Sequence, residues 1–194
     1  DMLDDKHPYD LWVLELSSYQ LELTSSLKLC ASTILNISPD HLERHKTLED
    51  YAAAKQRIYR QSDYILFNRD EAITAPVSDH PQTSTVASFA LNTPPTAQDW
   101  GIIEHSGRTW LAHGTSPFMD VAQLKVKGRH YWLNALAASA LARQVDIPME
   151  CIIEVLQTYP GLAHRTEWLR QLNGVDWVND SKGTNIGATQ AALE

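Results

Sequence analysis

Three short apolar runs most constrain what this chain can fold into: LWVLEL at 11–16, ASTILNI at 31–37 and YILFN at 64–68, each bounded by polar residues. Unalternating runs of this length have the character of strands buried on both faces, as in a parallel sheet. SSYQLELTSS after the first run reads as a turn and a short helix, and Ser38, Pro39 and Asp40 close the second. TLEDYAAAKQRIYRQ at 47–61 then reads as a helix, with Thr47 and Asp50 at the spacing of a capping box that has Asp in place of Glu. Apolar strands alternating with helices predict a doubly wound α/β sheet.

Residues 70–125 change character. They hold five of the nine prolines, many Thr and Ser, and β-like pieces such as STVASFAL, WGIIEH and TWLAHG, which predicts a small, more irregular β section. Helical spacing returns in WLNALAASALARQV and, after Pro148, in MECIIEVLQTY, which Pro160 and Gly161 break. TEWLRQL and VDWVND flank Asn173-Gly174, a strong hairpin signal. A domain boundary is expected near 160–162, dividing the chain into 1–160 and 161–194. The polar run at 1–10 leads directly into a strand, and NIGATQAALE at the other end reads as a helix just begun; both features suggest a piece of a longer chain.

Lys55 sits on the wrong side of its helix. Leu48, Tyr51, Ala52, Ile58 and Tyr59 recur at three- and four-residue steps, and Lys55 falls in the middle of that stripe. An ammonium on an apolar face costs several kcal/mol, of order ~3 or more, unless it is paired, neutralised or chemically altered. The stem can snorkel so that the head reaches water or a carboxylate. Alternatively, desolvation lowers the lysine pKa and leaves a partly neutral, reactive amine.

Ligands in open α/β sheets gather at the carboxyl ends of the parallel strands. Glu15, Ser17 and Ser18 come at the end of the first apolar run, Asp40 and His41 just after the second, and Asp180, Ser181, Lys182 and Thr184 after VDWVN. The Glu15 carboxylate, embedded in an apolar run, needs a partner, either a hard cation such as magnesium or a backbone donor. A lone histidine is more often structural than a ligand, and magnesium prefers oxygen. Asp180-Ser181-Lys182 alone reads as a polar turn, and Arg165 either clamps a phosphate or pairs with Glu167.

Composition excludes some classes. A net charge of −8 argues against non-specific nucleic-acid binding, which needs a basic surface. No apolar run is long enough to cross a bilayer as a helix, and no signal peptide is visible at the start. Cys30 and Cys151 have no metal spacing and fit a reducing cytoplasm.

The ordered combination of ELSSYQLE, ILNISPDHLERH, YAAAKQRIY, LNALAASALA, GLAHRTE and NDSKGTN closely resembles the Mur ligases of peptidoglycan synthesis. The SSYQLE extension after Glu15 makes it most similar to the branch that adds D-glutamate. Sibling ligases for other amino acids, and folylpolyglutamate synthase, carry different residues there. The likeness runs from about Leu11 to the last residue and is weakest over 70–125.

The resemblance implies a P-loop-type central ATPase domain over 1–160 and the start of a Rossmann-like C-terminal domain over 161–194. The motif G-x-x-x-x-G-K-[ST] does not occur here, and in the family it precedes the Glu15 strand, so it is expected upstream of Asp1. The same likeness implies ATP and two magnesium ions, one on Glu15, the other on His41 and a carbamate formed on Lys55. It implies ATP contacts at Asn134, Arg165, Asp180 and Lys182, and substrate contacts at Ser17, His41, Lys182 and Thr184. The implied substrates are UDP-N-acetylmuramoyl-L-alanine and D-glutamate, joined through an acyl phosphate by a cytoplasmic monomer, with no nucleic-acid or membrane partner. The chain alone is expected to be inactive. One departure stands out: the family often has H-N-x-x-N where this chain reads His130-Tyr131-Trp132-Leu133-Asn134. Other readings are a sibling ligase and a non-catalytic nucleotide- or metal-binding module in which Lys55 only snorkels.

Overall fold

A computed structural model describes residues 9–40, 42–77, 81, 83–184 and 189. His41, most of NIGATQAALE and the first eight residues, each of which carried an expectation above, lie outside the described residues.

The sheet is built outward from the most apolar run. β2 (Ser62–Asn68) lies between β1 (Leu29–Ile34) and β3 (Thr85–Phe89), parallel to both. Its successive residues point to opposite faces. Tyr64 and Leu66 join one hydrophobic cluster while Ile65 joins the other, which explains why YILFN has no polar alternation. β3 pairs in parallel with β4 (Trp100–His105), and β5 (Arg108–His113) and β6 (Ser116–Asp120) continue as an antiparallel meander. The strand order is β1-β2-β3-β4-β5-β6 in one sheet, so the pieces read within 70–125 extend the main sheet at its far edge.

Helices cover both faces. Among the described residues the strands are flanked by α1 (Ser18–Glu22), α2 (Leu42–His45), α3 (Leu48–Gln56), α4 (Arg129–Arg143) and α5 (Met149–Thr158). Ala135, Ala137 and Ala140 of α4 are small enough to let the helix lie close against Leu66, Phe89 and Leu111, and Leu136 fills the contact. On the opposite face Tyr51 and Ala52 of α3 pack with Ile34, Ile37, Tyr59 and Ile65. The helical run predicted through 61 ends at Gln56 and tightens into a single 3-10 turn, Arg57–Tyr59. That turn drives Tyr59 into the core, where its hydroxyl donates to the Thr74 carbonyl at 2.9 Å.

One expected strand is absent. Residues 11–16 form no strand, and Leu11, Trp12, Val13 and Leu14 are exposed. An apolar run becomes a strand only by pairing, and among the described residues nothing pairs with it; β1 forms that edge of the sheet.

The hairpin forms where Asn173-Gly174 predicts it. β7 (Glu167–Leu172) and β8 (Val175–Asn179) pair antiparallel as a separate two-stranded sheet. Asn173 and Gly174 have φ of 53° and 79°, the two positive values that a type I′ turn requires. Trp168, Leu169, Leu172, Val175, Trp177 and Val178 are all exposed on it.

Candidate active site

The environment of Lys55 is built by three segments. Thr47 caps α3, its hydroxyl accepting from the Asp50 amide at 3.1 Å, so half of the capping box read from the sequence forms. α3 then carries Lys55 in its last turn, one turn after Tyr51, and the ammonium lies 5.1 Å from the centroid of the Tyr51 ring. Burial pushes the Lys55 amine below the ordinary lysine range, while the charges of Glu15 and Asp40 pull it back up. The side chain is half-buried. An amine that is partly desolvated yet feels the charge of two carboxylates is held between a neutral nucleophile and a charge-balanced ammonium. Burial also pushes the Tyr51 phenol up, so the ring remains a neutral floor.

Tyr51 is itself propped. His45, 5% exposed at the end of α2, has its ring 5.1 Å from Tyr51 and 5.7 Å from Tyr19. The Ser18 hydroxyl lies 3.0 Å from His45 Nε2, and Glu22 Oε1 lies 3.8 Å from Nδ1. These contacts bolt α1, α2 and α3 together beneath Lys55. Ser17, expected at a substrate, N-caps α1: its amide donates to Gln20 Oε1 at 2.8 Å and its hydroxyl accepts from the Gln20 amide at 3.3 Å. A substrate contact by Ser17 would compete with this reciprocal cap.

The remaining candidates gather around the start of α4 and the loop after α5. Asn134 is exposed on α4, one turn beyond Tyr131. The Tyr131 hydroxyl donates to the Arg165 carbonyl at 2.8 Å. Asp180 accepts from the Thr166 amide at 2.9 Å, and the Lys182 amide donates to the His164 carbonyl at 3.0 Å. Arg165, Lys182 and Thr184 are exposed. Glu167 accepts from the His164 amide at 2.8 Å and from the Asn179 side chain at 3.3 Å, so it is occupied by partners other than Arg165.

The structure thus brings Glu15, Asp40 and Lys55 into one electrostatic environment, and Arg165, Asp180 and Lys182 into one loop cluster beside Tyr131. Among the described residues no cluster of three or more His, Cys, Asp and Glu is gathered as a metal site, and His41 lies outside them. Carboxylates at Glu15 and Asp40 suit a hard cation, whereas a bare Lys55 amine does not; a carbamate there would add oxygen donors. Two supports were missed in the sequence, the His45 prop and the Tyr131 bond. Each joins residues far apart in the chain, and no local spacing marks either.

Residues 2–142 match the Mur ligase middle domain. The chain belongs to the Mur ligase family. It is similar over its whole length, at 52% identity across 193 residues, to the UDP-N-acetylmuramoylalanine–D-glutamate ligase of Legionella pneumophila strain Paris, and it spans 43% of that relative. Two solved structures share the Mur ligase fold. MurF from Acinetobacter baumannii superposes with a TM-score of 0.66 at 20% identity, covering 90% of this chain and 38% of its own. MurF ligase from Thermotoga maritima, solved in complex with ADP, superposes with a TM-score of 0.59 at 16% identity, covering 85% of this chain and 38% of its own. No described helix is long and apolar enough to cross a membrane.

Proposed function

We propose that this chain is the central part of a cytoplasmic, monomeric ATP-dependent ligase that adds D-glutamate to UDP-N-acetylmuramoyl-L-alanine in peptidoglycan precursor synthesis. The observation that carries the reading is the Lys55 amine, partly desolvated over Tyr51 and within the electrostatic influence of Glu15 and Asp40, in a chain 52% identical to a D-glutamate ligase. Residues 1–160 are read as the ATPase domain and 161–194 as the start of the amino-acid-adding domain. The chain spans 43% of the relative's length, so the ligase reaction is assigned to the full-length protein and not to this chain alone.

The chain's own residues then divide the work. The neutral Lys55 amine attacks carbon dioxide, forming an N–C bond and releasing a proton, and an ammonium that was a liability becomes an oxygen-bearing anion. Glu15, His41 and carbamylated Lys55 would hold the magnesium ions, which neutralise phosphoryl charge when bound. Asn134, Arg165, Asp180 and Lys182 would orient ATP, whose γ-phosphoryl group passes to the substrate carboxylate with ADP leaving. Thr184 and Lys182 would guide the amine of D-glutamate to the acyl carbon, from which phosphate departs as the amide forms. An ADP complex of a fold relative supports nucleotide binding by this architecture.

The test is D-glutamate-dependent phosphate release from ATP in the presence of UDP-N-acetylmuramoyl-L-alanine, run on the full-length protein and on this chain. Release by the full-length protein and none by the chain is the expected result. A folded full-length protein that releases phosphate with a different amino acid, or with none, overturns the substrate assignment.

A further inference from the structure

The loop between α5 and β7 carries backbone strain and is held at both ends by hydrogen bonds. Gly161, His164 and Thr166 all have positive φ, at 87°, 66° and 48°. For Thr166, a β-branched residue, this is a true outlier. The loop is tied to the end of β8 and the segment after it by the Thr166 amide on Asp180, the Lys182 amide on the His164 carbonyl and the His164–Asn179 contact at 2.8 Å. It is tied to α4 by the Tyr131 hydroxyl on the Arg165 carbonyl. α4 is anchored by burial, with Leu136 and Ala140 fully enclosed in the sheet's core. The loop also comes close to Tyr131 at Gly161, where a Cβ would stand 3.7 Å from the hydroxyl and 3.2 Å from Val126.

We propose that the Tyr131 hydroxyl is a positioning group: by holding the Arg165 carbonyl it sets where the Arg165 guanidinium stands relative to Asn134, and thereby sets the affinity for ATP. This rests on the preceding reading of Arg165 and Asn134 as nucleotide contacts. Tyr131 touches no reacting atom. It acts because a loop with three left-handed residues has other conformations available, and the bond to a core-anchored helix selects one of them.

The experiment uses the full-length protein and its Tyr131→Phe, Arg165→Ala and double variants. Tyr131→Phe removes the hydroxyl and keeps the ring. The expected result is a KM for ATP raised about 5- to 10-fold, the size of one lost hydrogen bond, with kcat and the KM for D-glutamate within about 2-fold. A change in the fold's general stability would not move the ATP KM selectively. The double variant is expected to be no worse than Arg165→Ala, since both act through one contact. Hydrogen exchange at the Arg165, Thr166 and Lys182 amides is expected to be faster in Tyr131→Phe. An ATP KM unchanged by Tyr131→Phe, or additive effects in the double variant, overturns the proposal. An ATP KM unchanged by Arg165→Ala in an active protein overturns it differently, by removing the nucleotide contact on which it rests while the exchange rates still report the bond.

Discussion

Around Lys55, α3 lies on the sheet with Tyr51 and Ala52 buried against Ile34 and Ile65, and the tilted rings of Tyr19 and His45 lead to the Tyr51 ring that the amine overlies. Over 161–184 the hairpin faces are exposed, and the loop that carries Arg165 is held by hydrogen bonds to Tyr131, Asp180 and Lys182. The first region is held by burial, which is non-directional and large in sum; the second is held by a few directional contacts, each worth about 1 kcal/mol. A rigid base that tunes one amine and a lightly held arm that carries charge are suited to different tasks. A region held by few directional contacts opens locally at lower cost than one held by burial.

The comparison breaks most visibly at Lys55. Lys55→Ala in the full-length protein is expected to lower ligase activity by about 100-fold or more, the scale of losing one preorganised electrostatic group, with partial recovery on adding a short carboxylic acid. Undiminished activity would leave Lys55 a snorkelling residue and remove the chemical role of the base. Carbon-13 NMR with labelled bicarbonate gives an independent reading, a carbamate resonance that Lys55→Ala abolishes.

The two modes of support predict unequal responses to the same substitution. Leu66→Ala, at a side chain fully buried between β2 and α4, is expected to cost about 3 kcal/mol, seen as lost amide protection across both elements. Leu169→Ala, on the exposed hairpin, is expected to stay within about 0.5 kcal/mol. Equal costs would mean that the hairpin is as firmly buried in the full-length protein as the sheet is here.

A subtler effect follows from pH. The Lys55 pKa is lowered in the folded state by burial, from an unfolded value near ~10.4. Between the two values the unfolded chain binds more protons, so this group makes stability rise as pH rises through that window; below the folded value its unfavourable contribution is constant. In buffer free of carbon dioxide, unfolding midpoints across that range are expected to rise more steeply with pH in the parent than in Lys55→Met. A Lys55→Met slope equal to the parent's would show the amine to be well solvated. A local effect is expected at the hairpin turn, where Asn173→Val, β-branched at a positive φ, costs about 1 kcal/mol of local stability and leaves β2 protection untouched.

What could be read from the residues divides along the same line. β2, the cover of α4 and the Asn173-Gly174 hairpin were legible because apolar spacing and turn chemistry are local properties. So was the anomaly of Lys55, since a helix face follows from three- and four-residue steps. Residues 11–16 misled because a strand is a relation between two segments, and an apolar composition supplies only one of them. The Ser18–His45 contact and the Tyr131–Arg165 bond join residues 27 and 34 apart, so nothing in either neighbourhood announced them.

β2 gives neighbouring residues to different layers: Ile65 belongs with the Lys55 helix and Leu66 with α4. The strand is a party wall. Sequence change at position 65 is felt in the room where the amine is tuned, and change at 66 in the room behind the nucleotide candidates, although one peptide bond separates the two. Drift on either side can therefore be repaired on that side alone, and the family could adjust one half of its chemistry over time without rewriting the other.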